Sequence, residues 1–173
     1  MVAMLPVDAH LPPEAVSEAQ VRTWLAEVPD PEIPVLSVTD LGIVRGVTVN
    51  GRSVEVEVAP TYSGCPATEV IEQSILAALR DRGLKVSLQR VLSPPWTTDW
   101  ITAAGRQKLL DYGIAPPPAG AGKRAMLGQM RDVACPRCSS STTVMVIEFA
   151  STACKAAYKC EACLEPFEYF KCI

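Results

Sequence analysis

The pattern of hydrophobic and polar residues predicts a helix, a hairpin, a helix, a strand and a helix before the proline-rich stretch near the middle of the chain. Ser17 and Gln20 have capping-box spacing, and apolar residues follow at helical intervals until Pro29. Valines alternate with polar residues on both sides of Asn50-Gly51, which favours a type I′ turn. This order is typical of a compact α+β domain, predicted over residues 17–115.

The other boundaries follow from the same signals. The predicted strands are Gly42 to Val49, Ser53 to Val58 and Lys85 to Val91. The second helix should run to about Arg82 and bury a stripe made of Val70, Ile71, Ser74, Ile75, Ala78 and Leu79. The last helix should be capped by Thr98 or Asp99 and end at Gly113.

The stretch from Thr61 to Pro66 joins the second predicted strand to the second predicted helix. Gly64 permits a tight turn, and Pro66 suits the first helical position. Cys65 is therefore predicted at or beside the helix N-cap, where unpaired N–H groups and the helix dipole favour a thiolate. Such a cysteine is a candidate metal ligand or nucleophile. A buried cysteine acting as a small hydrophobe accounts for this residue equally well.

Two Cys-x-x-Cys pairs near the end of the chain predict a small metal-binding domain. They are Cys135 with Cys138 and Cys160 with Cys163. Four thiolates on two tight turns form the closed tetrahedral shell of structural zinc, and a rubredoxin-like iron site is the chemical alternative. A closed shell leaves no open position for catalysis. We therefore predict a four-cysteine zinc ribbon over residues 130–173, stabilised largely by its metal.

Within the ribbon, strands are predicted at Thr143 to Phe149, at Ala153 to Tyr158 and around Phe167 to Phe170. The aromatic residues near Phe167 are more typical of a ribbon core than of a base-stacking surface. Cys154 and Cys172 are left over. Either could be an additional metal ligand, Cys154 could replace a knuckle ligand, or they could simply be buried.

Composition and charge restrict the class of protein. The chain has 173 residues, 49% of them hydrophobic and 20% charged, as in folded proteins. A net charge of −3 argues against a general nucleic-acid binder. No apolar run is long enough for a membrane span, and the N-terminus lacks the pattern of a secretory signal. The seven cysteines cluster toward the end of the chain in Cys-x-x-Cys pairs, which indicates metal binding and not a secreted disulfide framework, so we expect a cytoplasmic, reduced protein.

Histidine is nearly absent. The single one, His10, lies in a predicted N-terminal tail, residues 1–16. This excludes a Ser-His-Asp triad and a Glu-x-x-His di-iron site in the folded core. A thiol enzyme that uses Cys65 without a histidine base is the least favoured alternative. The segment Ala-Pro-Pro-Pro-Ala-Gly-Ala-Gly indicates a linker between the two predicted domains, residues 116–129.

Several motifs carry a family resemblance. Asp30-Pro-Glu-Ile-Pro34, Leu41-Gly-Ile-Val44, Thr61 to Pro66 and Pro95-Trp96 resemble the metal–sulfur cluster biosynthesis domain of SufT-type proteins. Three ribbon motifs resemble the D-type (also called J-type) subunits of phenylacetyl-CoA epoxidase systems. They are Ser151 to Lys155, Tyr158 to Cys163 and Glu165 to Lys171.

The resemblance implies a helper protein, not a catalytic core. Its clients would be iron–sulfur or di-iron centres of the epoxidase and its ferredoxin-like reductase, in aerobic phenylacetate degradation. Cys65 matches the family's reactive cysteine, and Asp30, Glu32 and Thr61 match the polar motif around it. No catalytic residue is assigned.

The ligand count adds a physical constraint. One cysteine cannot hold a two-iron cluster, which needs four ligands, so a second subunit, a partner or a small thiol must supply the others. This favours a homodimer or a transient complex. Asp30 and Glu32 are oxygen donors that could hold Fe(II), although a solvated loop cap explains them equally well. The alternative function is a structural adaptor that docks on the oxygenase through its ribbon and handles no iron.

Overall fold

The computed structural model describes residues 16–61, 67–118, 120 and 133–171. Its helices are α1 (Glu18–Leu25), α2 (Ala67–Arg80) and α3 (Ala103–Tyr112). Its strands are β1 (Val44–Asn50), β2 (Ser53–Val58), β3 (Lys85–Arg90), β4 (Ile114–Ala115), β5 (Thr143–Ile147), β6 (Lys155–Cys160) and β7 (Pro166–Phe170). The predicted α+β class with a C-terminal four-cysteine ribbon is confirmed. Most of the predicted tail and linker lies outside the described residues.

The first helix and the loop after it are fixed by local hydrogen bonds. The capping box is present: the backbone N–H of Gln20 donates to Ser17 Oγ at 3.2 Å, and that of Ser17 donates to Gln20 Oε1 at 2.8 Å. Beyond α1 the chain folds back on itself, with Asp30 N donating to Leu36 O at 2.8 Å. A compact loop therefore holds the acidic segment against the core.

The first sheet has the strand order β1-β2-β3. β1 and β2 form the predicted hairpin, with Gly51 in the left-handed region at φ +61°. β2 and β3 are parallel, because α2 carries the chain from the end of one to the start of the other. Val54, Val56 and Val58 of the central strand are buried, whereas Glu55 is exposed. The prediction of one wet face is confirmed.

The helix α2 buries Ile71, Ile75 and Leu79 against this sheet, as its periodicity predicts. The prediction for Val70 was wrong, since its side chain is 51% exposed. Val70 precedes Ile71 and is therefore rotated from it by about 100° around the helix axis. Because the sheet covers only one face of α2, this rotation leaves Val70 outside the buried stripe.

The last helix begins later than predicted. Thr98–Trp100 forms a separate 3₁₀ turn, and Ile101 returns to an extended backbone. Thr102 is the true cap, because its Oγ1 accepts from Gly105 N at 2.9 Å. Gly113 ends the helix in the left-handed region at φ +89°, as predicted.

The second sheet has the order β4-β7-β6-β5 and joins both predicted domains. β4, which directly follows α3, pairs in parallel with β7 of the ribbon. Cys154 and Phe170 of the ribbon are buried in the same core as the α+β residues. The ring of Phe170 lies 6.4 Å from that of Trp96. None of the helices in the described part of the chain is long and apolar enough to cross a lipid bilayer.

Candidate functional site

Two turns of the ribbon bring four thiols together. The Sγ atoms of Cys135, Cys138, Cys160 and Cys163 all lie within 4.8 Å of one another. The Cys135–Cys163 and Cys138–Cys160 separations are 3.7 and 3.6 Å. Four sulfurs placed tetrahedrally at about 2.3 Å from a metal would lie about 3.8 Å apart. The donor set and its spacing therefore fit a tetrahedral metal ion, and four thiolates suit both zinc and iron.

The backbone of each turn is shaped for metal binding. Ser139 and Leu164, which follow the second cysteine of each pair, both adopt the left-handed conformation, at φ +61° and +67°. The N–H groups of Cys163 and Ala162 hold the pKa of Cys160 down, to about 6, whereas burial and the neighbouring thiols raise the pKa of Cys138 and of Cys163. A lower thiol pKa favours the thiolate, which is the form that binds metal.

The aromatic residues of the ribbon form its core. Tyr158 and Phe167 are buried and stack with ring centroids 5.8 Å apart, and Tyr169 meets Tyr158 edge-on at 5.7 Å. They pack beside Cys135 and Cys160. This agrees with the sequence-based interpretation of the cluster as core.

A second site lies where the ribbon meets the α+β domain. Asp30, Glu32 and Thr61, which the sequence singled out, line a single cavity of about 30 Å³. Cys154 of the ribbon lines it as well. Cys65 and Cys172 lie outside the described residues. Apolar side chains form most of the remaining wall: Ile33, Leu41, Ile43, Val58, Ile71 and Phe170.

Asp30 is held rigidly and almost without solvent contact. Its Oδ1 accepts from the backbone N–H groups of Glu32 at 2.9 Å and Ile33 at 2.7 Å. The residue is 7% exposed, and this burial raises the pKa of its carboxyl although the two N–H groups and Lys155 act in the opposite direction. Among the described residues, no hydrogen bond reaches its Oδ2.

Cys154 is placed beside these carboxylates and not among the four ribbon thiols. Its Sγ lies 3.1 Å from Thr152 Oγ1 and donates to Glu32 Oε2 at 3.6 Å. The residue is 5% exposed, and burial raises the pKa of its thiol to about 11. Of the alternatives left open for Cys154, the structure favours a buried residue over a knuckle ligand.

A partly buried ion pair fixes the segment that carries Cys154. Lys155 Nζ lies 3.0 Å from Glu168 Oε2, and Ser151 Oγ donates to the other oxygen of the same carboxylate at 2.6 Å. Burial raises the pKa of Glu168, but the hydrogen bonds from Ser151 and Lys155 lower it by more, so the net shift is downward. The loop before β6 is therefore tied to β7, which sets the position of Cys154.

Both domains of the chain match known protein families. Residues 18–87 match a family model described as an iron-sulfur cluster assembly protein, and residues 119–171 match the PaaD zinc beta ribbon domain. An Escherichia coli K12 protein, named provisionally as the D-type subunit of 1,2-phenylacetyl-CoA epoxidase, is 49% identical over 168 residues. The match covers 95% of this chain and 98% of that protein.

The chain belongs to the family of D-type phenylacetyl-CoA epoxidase subunits. The family membership expected from the ribbon motifs is thus confirmed. A crystal structure of a domain of unknown function, DUF59, from Bacillus anthracis shares the fold. It superposes with a TM-score of 0.50 at 23% identity, over 53% of this chain and 90% of that one.

The sequence of this D-type subunit did not predict the hydrogen bond between Cys154 and Glu32. The two residues are 122 positions apart, and no periodicity or spacing links them. The available signal was Cys154 itself, an extra cysteine outside both Cys-x-x-Cys pairs. The pairing of β4 with β7 and the burial of Phe170 in the α+β core bring it to the acidic loop.

Proposed function

We propose that this protein is a cytoplasmic accessory factor that loads iron or iron–sulfur centres into components of a phenylacetyl-CoA epoxidase system. The iron–sulfur reductase of that system is the first client to test. The match to an iron-sulfur cluster assembly model and the name of the Escherichia coli relative support this assignment. The observation that carries it is that Asp30, Glu32 and Thr61 line one cavity.

The residues of this site have distinct roles in the proposal. Cys65 is the transfer ligand, and Asp30 and Glu32 supply oxygen donors for iron. Thr61 lines the same cavity and adds a hydroxyl. Because a two-iron cluster needs four ligands, a cluster cargo would require a second copy of the chain, a client or a small thiol. A homodimer is the simplest source of the missing ligands.

Zinc is the proposed resident metal of the ribbon. The spacing of the four sulfurs and the match to a zinc ribbon model support it. Bound zinc would stabilise two turns that have little apolar mass of their own. The four ligands close its coordination shell, so its role is structural.

The test compares wild type with Cys65→Ser in cells that produce all epoxidase components. We expect the variant to fold and to keep its ribbon metal, while the purified reductase contains less iron and less acid-labile sulfide. Thermal unfolding and the metal content of the variant are the controls for folding. A reductase loaded to the wild-type level would contradict the transfer role.

A structural adaptor is the second candidate, and an exposed strand favours it. β5 lies at the edge of the second sheet, and its residues Val144 to Ile147 are 46–59% exposed. An uncharged edge strand invites pairing with another protein. If the protein is only an adaptor, Cys65→Ser should be silent, whereas Cys160→Ser should abolish association with the oxygenase.

A further inference from the structure

We infer that β5, the exposed edge strand of the ribbon, pairs antiparallel with β5 of a second copy of this chain. Each copy contributes a sheet in the order β4-β7-β6-β5, so the two copies would form one sheet with β5 against β5 at its centre. This pairing is independent of iron handling and does not rest on the proposed function. Its support is the charge, the exposure and the register of the strand.

β5 differs from the other edge strands of the two sheets. Among the described strands, β1, β3, β4 and β5 lie at sheet edges. β1 carries Arg45, β3 begins with Lys85 and ends with Arg90, and β4 has only two residues. Charged side chains and short length protect an edge from pairing with another chain. β5 has five residues, Thr143–Ile147, and none is charged, so its edge lacks both kinds of protection.

The side chains of this edge are exposed to solvent. Val144, Met145, Val146 and Ile147 are 46–59% exposed, and Phe149 just beyond the strand is 60% exposed. Because consecutive residues of a strand point to opposite faces, this exposure occurs on both faces of β5. Five half-exposed apolar side chains present roughly 300–600 Å² of apolar surface, and a patch of that size on a protein surface is often functional.

The charges around β5 favour a second copy as the occupant. The first charged residue after the strand is Glu148. In an antiparallel pair centred on Val144 or Met145, Glu148 of one copy would lie opposite the Ser-Ser-Thr segment 140–142 of the other. Like charges directly opposite each other destabilise a sheet, and here hydroxyl groups would face the carboxylate instead. The edge is therefore self-complementary in charge, as a two-fold symmetric contact requires.

The size and register of the edge predict a weak dimer. The register of β5 against β6 shifts between Met145 and Ile147, so Val146 has no residue directly opposite in β6 and the regular part of the edge is short. Two such patches amount to roughly 600–1,200 Å² in total, and interfaces below about 1,200 Å² are typical of transient association. We therefore expect a reversible dimer that depends on concentration.

This dimer would keep the two acidic cavities apart. Phe170 of β7 lines the cavity, and β7 would be separated from its copy by five strand spacings of about 4.8 Å, or about 24 Å. One two-iron cluster cannot reach across that distance. A shared cluster would therefore need a different contact between copies, a client or a small thiol.

The experiment measures sedimentation of the full-length protein, loaded with zinc and kept reduced, from about 1 μM to about 1 mM. We expect the average mass to rise toward that of a dimer, with a Kd of about 10–1,000 μM. Val144→Lys would bring two ammonium groups together at the centre of the pair, so it should weaken dimerisation at least about 10-fold. Val144→Glu should do the same, whereas a mixture of the two variants should associate again because opposite charges meet.

A matched control separates this contact from a general effect of added charge. Val70 on α2 is 51% exposed, so Val70→Lys makes the same substitution at a similarly exposed valine and should leave dimerisation unchanged. The side chains of β5 lie outside both hydrophobic clusters, so the variants should keep their Tm and their ribbon zinc. If Val144→Lys loses its zinc, Val146→Lys and Val146→Glu replace the pair of variants.

A constant monomer mass over the whole range would overturn the inference, as would unchanged dimerisation in Val144→Lys, equal weakening by Val70→Lys, or no recovery in the mixture. If the protein is monomeric and Val144→Lys lowers its binding to a purified epoxidase component, that component occupies the edge and the inference is wrong. A monomer that still loads the reductase leaves the proposed function intact. A dimer whose Cys65→Ser variant loads the reductase normally keeps this interface and loses the transfer role.

Discussion

Phe170 offers a direct test of whether the ribbon and the α+β domain fold as one unit. It lies in β7 of the ribbon, yet its side chain is 2% exposed within the core of the α+β domain, next to Trp96. Replacing a buried phenylalanine by alanine costs about 3–5 kcal/mol, because both burial and packing are lost. In a protein of this size, 1 kcal/mol lowers Tm by about 2–4 °C, so Phe170→Ala should lower Tm by about 6–20 °C.

Tryptophan fluorescence is the right probe, because all three tryptophans, Trp24, Trp96 and Trp100, lie in the α+β domain. The fluorescence transition of Phe170→Ala should shift together with release of the ribbon metal. Phe149→Ala is the matched control: its ring is 60% exposed, so we expect a change within about 0.5 kcal/mol. An unchanged fluorescence transition in Phe170→Ala, with only metal release affected, would refute a shared core.

Three further predictions concern other parts of the molecule. Cys160→Ser should remove the ribbon metal and lower Tm, which metal analysis and thermal unfolding would detect; full metal retention would contradict the four-thiol site. The pKa of Asp40 is lowered because hydrogen bonds from Lys108, at 2.6 Å, and Ser37 outweigh the effect of burial. Its contribution to stability is therefore present above pH 3.8 and lost as pH falls through the lowered pKa. Asp40→Asn should cost about 1–2 kcal/mol at pH 7, and in denaturant titrations that cost should shrink in acid; a pH-independent cost would argue against the charged pair. Val146→Lys, on the exposed β5 edge, should leave Tm unchanged and weaken co-purification with epoxidase components if that edge is a docking surface.

Local signals in the sequence predicted most of the elements. The capping box at Ser17 and the valine alternation depend on neighbouring residues only, and each appears as expected. The hairpin also forms, but the prediction of an Asn50-Gly51 turn was wrong by one residue: Asn50 pairs with Ser53, so Gly51 and Arg52 make the turn. The two Cys-x-x-Cys pairs also fix their own turn geometry, so four thiols could be grouped from spacing alone. Asp30, Glu32 and Thr61 were grouped by family resemblance, and the structure places them around one cavity.

Long-range contacts could not be predicted in this way. β4 has two residues, too few for any alternation to be visible, and it exists because β7 pairs with it. Cys154 and Phe170 look like ribbon residues in the sequence but pack in the α+β core. The cap of α3 at Thr102 was missed because Thr98, Asp99 and Thr102 are all good caps, and tertiary packing selects among them.

The contact between the ribbon and the α+β domain links the four-cysteine site to the acidic cavity. A metal bound by the four cysteines would hold two turns, the turns lead into β6 and β7, and the loop before β6 holds Cys154 beside Glu32. Loss of the ribbon metal should therefore disturb the acidic cavity as well as the ribbon. If the ribbon were an independent domain, loss of its metal would leave the acidic cavity unchanged.

The most direct test of iron delivery is transfer between purified proteins. The full-length protein, loaded anaerobically with isotopically labelled Fe(II), is mixed with apo-reductase and sulfide, and label bound to the separated reductase is measured over time. We predict that wild type loads the reductase faster than the same amount of free Fe(II) in the presence of a chelator, and that Cys65→Ser does not. Equal loading by wild type, Cys65→Ser and free iron would contradict a role in iron delivery.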